Sequence, residues 1–177
     1  MRRLSRKNIK VGILGGTFDP PHIGHLHISN IAKKKFKLHN IIWVIAKQNP
    51  FKKKPYLSTS TRIKLSKDIT KKYKSISVKY FDNKIKNKNT FEFLKFFKKK
   101  NGKMNLFLLI GADNLIKFHK WQKWKKIPQF AKIIVFARQG YSTKALNSIA
   151  AKKLEKRDWF YINYKKINIS SSLIRKF

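Results

Sequence analysis

Three histidines, His22, His25 and His27, stand directly behind a Gly15-Gly16 pair and the run Thr17-Phe18-Asp19-Pro20-Pro21. Imidazoles this close together can ligate a metal, move protons or donate hydrogen bonds to an anion. The residues between them discriminate among these. A zinc site calls for a helical His-Glu-x-x-His spacing or for sulfur ligands; here Pro20-Pro21 and Gly24 interrupt the run, and cysteine is absent. An anion site fits better. The apolar stretch Val11 to Leu14 reads as a strand feeding the two glycines, where the lack of Cβ lets the main chain turn sharply and expose its N–H groups. Pro20-Pro21 bars helix until His22 or later, so the spacing predicts a helix from near Gly24 to Phe36 with its positive end facing the turn. His22 then lies in the approach and His25 in the first turn.

Other chemistry-bearing residues recur at strand ends. Asn105 to Ile110 is the most apolar run and predicts a central strand, ending in Gly111-Ala112-Asp113. Asp113 there is placed to accept from ribose hydroxyls. Asn40 to Ile45 predicts a second buried strand, followed by a loop with Lys52, Lys53 and Lys54, which either reach a phosphate or form a solvated loop. Trp121 and Trp124 both suit the core face of a helix; ligand stacking is expected of Trp121 and core packing of Trp124. With only 7 Asp+Glu in the chain, of which Asp19 and Asp113 sit in motif-like segments, a paired-carboxylate acid/base mechanism has little support.

The string Gly16 to His25, with its His-x-Gly-His pair, resembles the signature of the nucleotidylyltransferase superfamily and is most similar to the bacterial nicotinate-nucleotide adenylyltransferases. It is not a P-loop, because no Gly-Lys-Ser/Thr follows the glycines. Gly111 to Leu115 with Phe118, Trp121 and Trp124 also resembles that family, and Ile169 to Arg175 resembles the superfamily's second signature, a serine-rich helix start. There Ser170, Ser171 and Ser172 with free N–H groups would cradle an anion, and Arg175 would bridge triphosphate oxygens; the alternative is a plain capped terminal helix.

The resemblance implies adenylyl transfer from ATP to nicotinate mononucleotide, giving deamido-NAD and pyrophosphate, with Mg²⁺ accompanying ATP. It implies catalytic roles for His22, His25 and Arg175, and ATP contacts from Gly15, Gly16, Thr17, Phe18, Gly111, Asp113, Arg138 and the three serines. Asp19, Lys52, Thr90 and Trp121 are expected to meet the mononucleotide. Arg62 stands where the family has an arginine, at the start of a helix expected over 61–73. Two departures are visible: Gln139 replaces the proline of the usual Arg-Pro-Gly, and Asn89 or Phe91 replaces a tyrosine near Thr90. A sibling transferase acting on phosphopantetheine or using a cytidylyl donor would share the terminal motifs but not obviously Phe118 to Trp124.

The 177 residues carry 44 Lys+Arg, a formal charge of +37. Charge alone would favour a nucleic-acid-binding module. The cations, however, run from Arg2 to Lys176 alongside abundant Ile, Asn and Phe, residues that share AT-rich codons, so base composition accounts for them and no specific nucleic acid is expected. The field still concentrates anionic nucleotides. No apolar run approaches membrane-spanning length, no leader is evident, and the cysteine-free composition suits the cytoplasm. Strands alternating with helices predict a single α/β domain over 1–177, a Rossmann-like doubly wound parallel sheet with the motifs converging on its carboxyl edge.

Overall fold

The computed structural model describes residues 9–51, 53–81, 85, 89–164 and 174. Six strands form one parallel sheet: β1 (Lys10–Gly16), β2 (Asn40–Ile45), β3 (Ile76–Tyr80), β4 (Asn105–Gly111), β5 (Ala131–Phe136) and β6 (Trp159–Ile162). Their order is β3-β2-β1-β4-β5-β6, so the chain winds outward from β1 in one direction and, after β3, from β4 in the other. The expected Rossmann-like α/β architecture is therefore the observed one. Its switch point lies between β1 and β4, and at such a point the strand-end loops of an open α/β sheet run in opposite directions, the crevice where these sheets take their ligands.

Alternation along each strand assigns side chains to two cores. Ile41, Trp43 and Ile45 of β2 and Phe107 and Leu109 of β4 pack on one face with Leu26 and Ala32 of α1 (Ile23–Phe36). Leu106, Leu108 and Ile110 face the other side, against Phe91, Leu94 and Phe97 of α3 (Thr90–Asn101). Strands buried on both faces read as near-continuous apolar runs, which is why they were legible.

Helix α2 (Thr59–Thr70) is capped by Ser58, whose hydroxyl accepts from the Thr61 amide, so it begins two residues before and ends three residues short of the expected 61–73. Its buried positions are Arg62, Ser66 and Thr70, an unusual polar stripe. The segment after β4 comprises α4 (Ala112–Lys117) and two 3₁₀ turns, Phe118–Lys120 and Trp124–Gln129, with Lys123 left-handed between them (φ 52). After β5 the chain forms two short helices, α5 (Ser142–Leu146) and α6 (Ile149–Lys153), because Ser148 caps a new start through the Ala151 amide.

Candidate active site

The glycine turn is not where the residue types placed it. Gly15 and Gly16 are the last residues of β1, and neither has a positive φ; the left-handed residue is Phe18 (φ 50), followed by a cis Asp19–Pro20 bond. A bulky residue in that region is costly, on the order of 1–3 kcal/mol, and needs packing to hold it. The packing is present. Phe18 is 2% exposed, stacks on Trp43 at 4.9 Å and leans on His25 at 4.8 Å, while the Trp43 indole N–H donates to Ser29 of α1. Gly16 serves that ring: a Cβ there would stand 3.3 Å from it. Gly15 serves the crevice, since a Cβ there would meet nothing within 4 Å. The Phe18 side chain, expected to contact ATP, is core, which leaves only its main chain for any ligand.

His22 caps α1, and the two histidines form a reciprocal capping box. His22 Nδ1 accepts from the Gly24 amide at 3.1 Å, and His25 Nδ1 accepts from the His22 amide at 3.2 Å. Each Nδ1 is thus an acceptor without a proton, which in the neutral ring puts the proton on Nε2. Sequence spacing located the pair but not this lock. Burial, aided by the nearby Arg138 charge, lowers the His22 pKa to about 4, so near neutrality His22 is an uncharged donor.

Across the switch point, Gly111 leaves room for the Asp113 carboxylate, whose Oδ1 lies 2.5 Å from where a Cβ would be. Asp113 accepts from Arg138 at 2.8 Å. Expected as separate ATP contacts, the two residues are paired with each other, with further lone pairs left on the carboxylate. Arg138 also faces Tyr164, whose hydroxyl pKa is raised by burial against that charge.

Asp19, expected to meet the mononucleotide, is 6% exposed and accepts from the Tyr56 and Leu57 amides at 2.7 and 2.8 Å, so its carboxylate is engaged in holding the loop after β2. Thr90 is the first residue of α3, not its cap; Asn89 caps Glu92 and reaches Gln122 at 2.6 Å. Lys123 pairs with Glu92 at 3.2 Å and lies over the Phe91 ring. These ties bring Thr90 and Trp121 into one region. Trp121 leans on Phe118 at 4.9 Å, and its Nε1 is buried with no hydrogen-bond partner among the described residues. Trp124 packs against the same core, as expected of it. Asn89 was noted only as a replacement near Thr90, and Gln122 and Lys123 were missed, because nothing in their types or spacing marks them. Lys52, Ser170, Ser171, Ser172 and Arg175 lie outside the described residues. Among those described, no group of three or more His, Cys, Asp or Glu could hold a metal ion, and no helix is long and apolar enough to cross a membrane.

The cytidylyltransferase-like family model matches residues 13–177. A probable nicotinate-nucleotide adenylyltransferase of Pelagibacter ubique is 47% identical over 173 residues, covering 98% of this chain and 96% of that protein. One of Clostridium botulinum is 35% identical, covering 94% and 84%. Among solved structures, a Plasmodium falciparum nicotinic acid mononucleotide adenylyltransferase complexed with NaAD superposes with a TM-score of 0.77 at 22% identity, covering 96% of this chain and 83% of that one, a likeness of fold. With the histidine pair at the switch point and a match running from β1 to the final residue, this chain belongs to the cytidylyltransferase-like family, alongside relatives named as probable nicotinate-nucleotide adenylyltransferases.

Proposed function

We propose that the protein transfers the adenylyl group of ATP to nicotinate mononucleotide, releasing pyrophosphate and deamido-NAD. The observation that carries this reading is the histidine pair: two Nδ1-locked imidazoles at the N-terminus of α1, beside the open space over Gly15. An oxygen of the mononucleotide's phosphate, already ionised at neutral pH, attacks the α-phosphorus of ATP; the new P–O bond forms as the bond to pyrophosphate breaks. No proton has to be removed from the nucleophile, so a general base is not needed.

What the chain supplies is alignment and charge stabilisation. His22 and His25 donate from Nε2 to the triphosphate, and the α1 terminus adds its exposed N–H groups and dipole. Arg138, fixed by Asp113, lends a positive charge on the opposite wall of the crevice. Mg²⁺ enters as part of the Mg–ATP substrate, held mainly by phosphates and water. Thr90 and Trp121 hold the acceptor, and Ser170, Ser171, Ser172 and Arg175 complete the phosphate cradle.

The test is steady-state turnover against a panel of phosphorylated acceptors with ATP and CTP. Nicotinate mononucleotide with ATP gives the highest kcat/KM. A higher value with phosphopantetheine or with CTP overturns the assignment.

A further inference from the structure

The active-site loops after β1 and β2 are stitched together by two side chains that the reaction itself does not use. Arg62 is 1% exposed although it belongs to the first turn of α2. Its Nε donates to Leu57 O at 3.1 Å; Nη1 donates to Thr17 O at 2.6 Å and Ala46 O at 2.8 Å; Nη2 donates to Lys47 O at 3.0 Å and Thr59 Oγ1 at 2.9 Å. A guanidinium has five N–H donors, and each of the five finds an oxygen. One acceptor, Thr17, belongs to the turn that leads to His22; three, Ala46, Lys47 and Leu57, belong to the loop after β2. Asp19 runs the opposite way, from the β1 turn to the Tyr56 and Leu57 amides. Leu57 is gripped at both its amide and its carbonyl, while the Tyr56 ring beside it is 84% exposed.

We infer that Arg62, assisted by Asp19, is a positioning residue that sets the loop after β2 in register with the β1–α1 turn, so that both substrates meet one preformed crevice. The inference rests on the proposed adenylyl transfer for its kinetic consequence, though not for its structural one. Four carbonyls brought together around one point repel each other and, in a buried place, each needs a donor. A lysine has three donors on a flexible stem and cannot reproduce the planar fork. Without Arg62 the carbonyls turn to water, Thr17 moves with them, and the neighbouring histidine donors lose their aim. Misplacement on the scale of 1 Å is worth about a hundredfold in rate.

The experiment has a structural arm and a kinetic arm. In the first, amide hydrogen exchange is followed at Tyr56 and Leu57 in the wild type, Arg62→Lys, Arg62→Ala and Asp19→Asn. Both amides are protected in the wild type despite the exposed ring, and protection falls at least tenfold in each variant while β1 and β4 amides keep theirs. In the second, Arg62→Lys and Arg62→Ala lose about a hundredfold in kcat/KM, shared between kcat and the KM values of both substrates. Methylguanidinium added to Arg62→Ala restores a tenfold or greater part of that loss; methylammonium does not. If Arg62→Ala is not recovered folded, Arg62→Lys and Asp19→Asn carry both arms. Unchanged protection, or a folded Arg62 variant within threefold of wild-type kcat/KM, overturns the role. A wild type that exchanges as described but turns over no nicotinate mononucleotide overturns the proposed reaction and leaves the latch standing.

Discussion

The β1–α1 corner and the stretch where α3 meets Trp121 to Trp124 both serve the carboxyl edge of the sheet, yet they are held by opposite means. At the corner, contacts are buried or partly buried and interlocking: Phe18 on Trp43, Trp43 on Ser29, His22 and His25 capping each other. At α3 the ties lie at the surface; the Lys123 and Glu92 side chains are 54% and 24% exposed, and the Asn89–Gln122 bond is also exposed. Buried polar pairs are strong because leaving one member unpaired is costly, whereas surface pairs contribute ~0–1 kcal/mol. The corner proposed to align the triphosphate is thus preorganised. The proposed acceptor side is adjustable.

The largest effect that this contrast predicts is on the corner's packing. Phe18→Ala removes a fully buried ring and the left-handed residue's support, and should cost about 3–5 kcal/mol of stability, read from denaturant midpoints. A loss below about 1 kcal/mol would show that the corner is not interlocked. Next comes His25→Ala, which removes one aimed donor and should raise the barrier by about 2–4 kcal/mol at saturating ATP with the fold retained. Near-normal kcat in that variant would remove His25 from the reaction.

The third effect is on protonation. His22 has a folded pKa of about 4 against an ordinary imidazole value of 6.5, so between these values the unfolded chain binds the proton that the folded chain refuses. The contribution of His22 to stability is complete above pH 6.5 and is lost as pH falls toward 4. Arg138→Gln deletes the smaller of the two causes and should raise the midpoint part of the way, burial remaining. Nitrogen-15 shifts of the ring report both midpoint and tautomer; a wild-type midpoint near 6.5 contradicts the burial of the ring, and a proton on Nδ1 at neutral pH contradicts the capping-box geometry.

How much of this was legible in the sequence follows the same divide. The strands were, because β-branched and apolar runs buried on both faces leave a strong signal. The histidine pair was, because two prolines and a glycine allow few other readings. The sharp turn was expected at the two glycines, whereas the left-handed residue is Phe18, since propensity ranks glycine first and cannot see Trp43 arriving to hold the ring. Asp19 was read as a ligand contact because acids in motifs invite that, and its partners, the amides of Tyr56 and Leu57, carry no sequence signature. Arg62 left a faint trace in the Arg62, Ser66, Thr70 spacing, polar residues at i, i+4 and i+8 where a core-facing stripe should be apolar.

The smallest expected effect concerns the acid-against-amide choice at the acceptor. The nicotinate and nicotinamide mononucleotides differ in a ring carboxylate against a carboxamide, so the sign of the local potential matters, and Glu92 is an acid within that region. Lys123 neutralises it at 3.2 Å and is itself held over Phe91 at 4.9 Å. Lys123→Ala therefore exposes an uncompensated negative charge near Thr90 and should erode the preference for the nicotinate form. Because the pair is partly exposed and screened, the change is worth about 0.2–1 kcal/mol, a few-fold in the ratio of the two kcat/KM values, and it shrinks as salt rises. Glu92→Gln alone should shift the ratio toward the acid, and the double variant should return near the wild-type value, because the cycle isolates the pair. ATP kinetics should be unaffected in all three, since the corner does not depend on this tie. A ratio that stays constant across the four proteins would mean that discrimination comes from fixed main-chain donors around Trp121, and that the acceptor side is as preorganised as the corner.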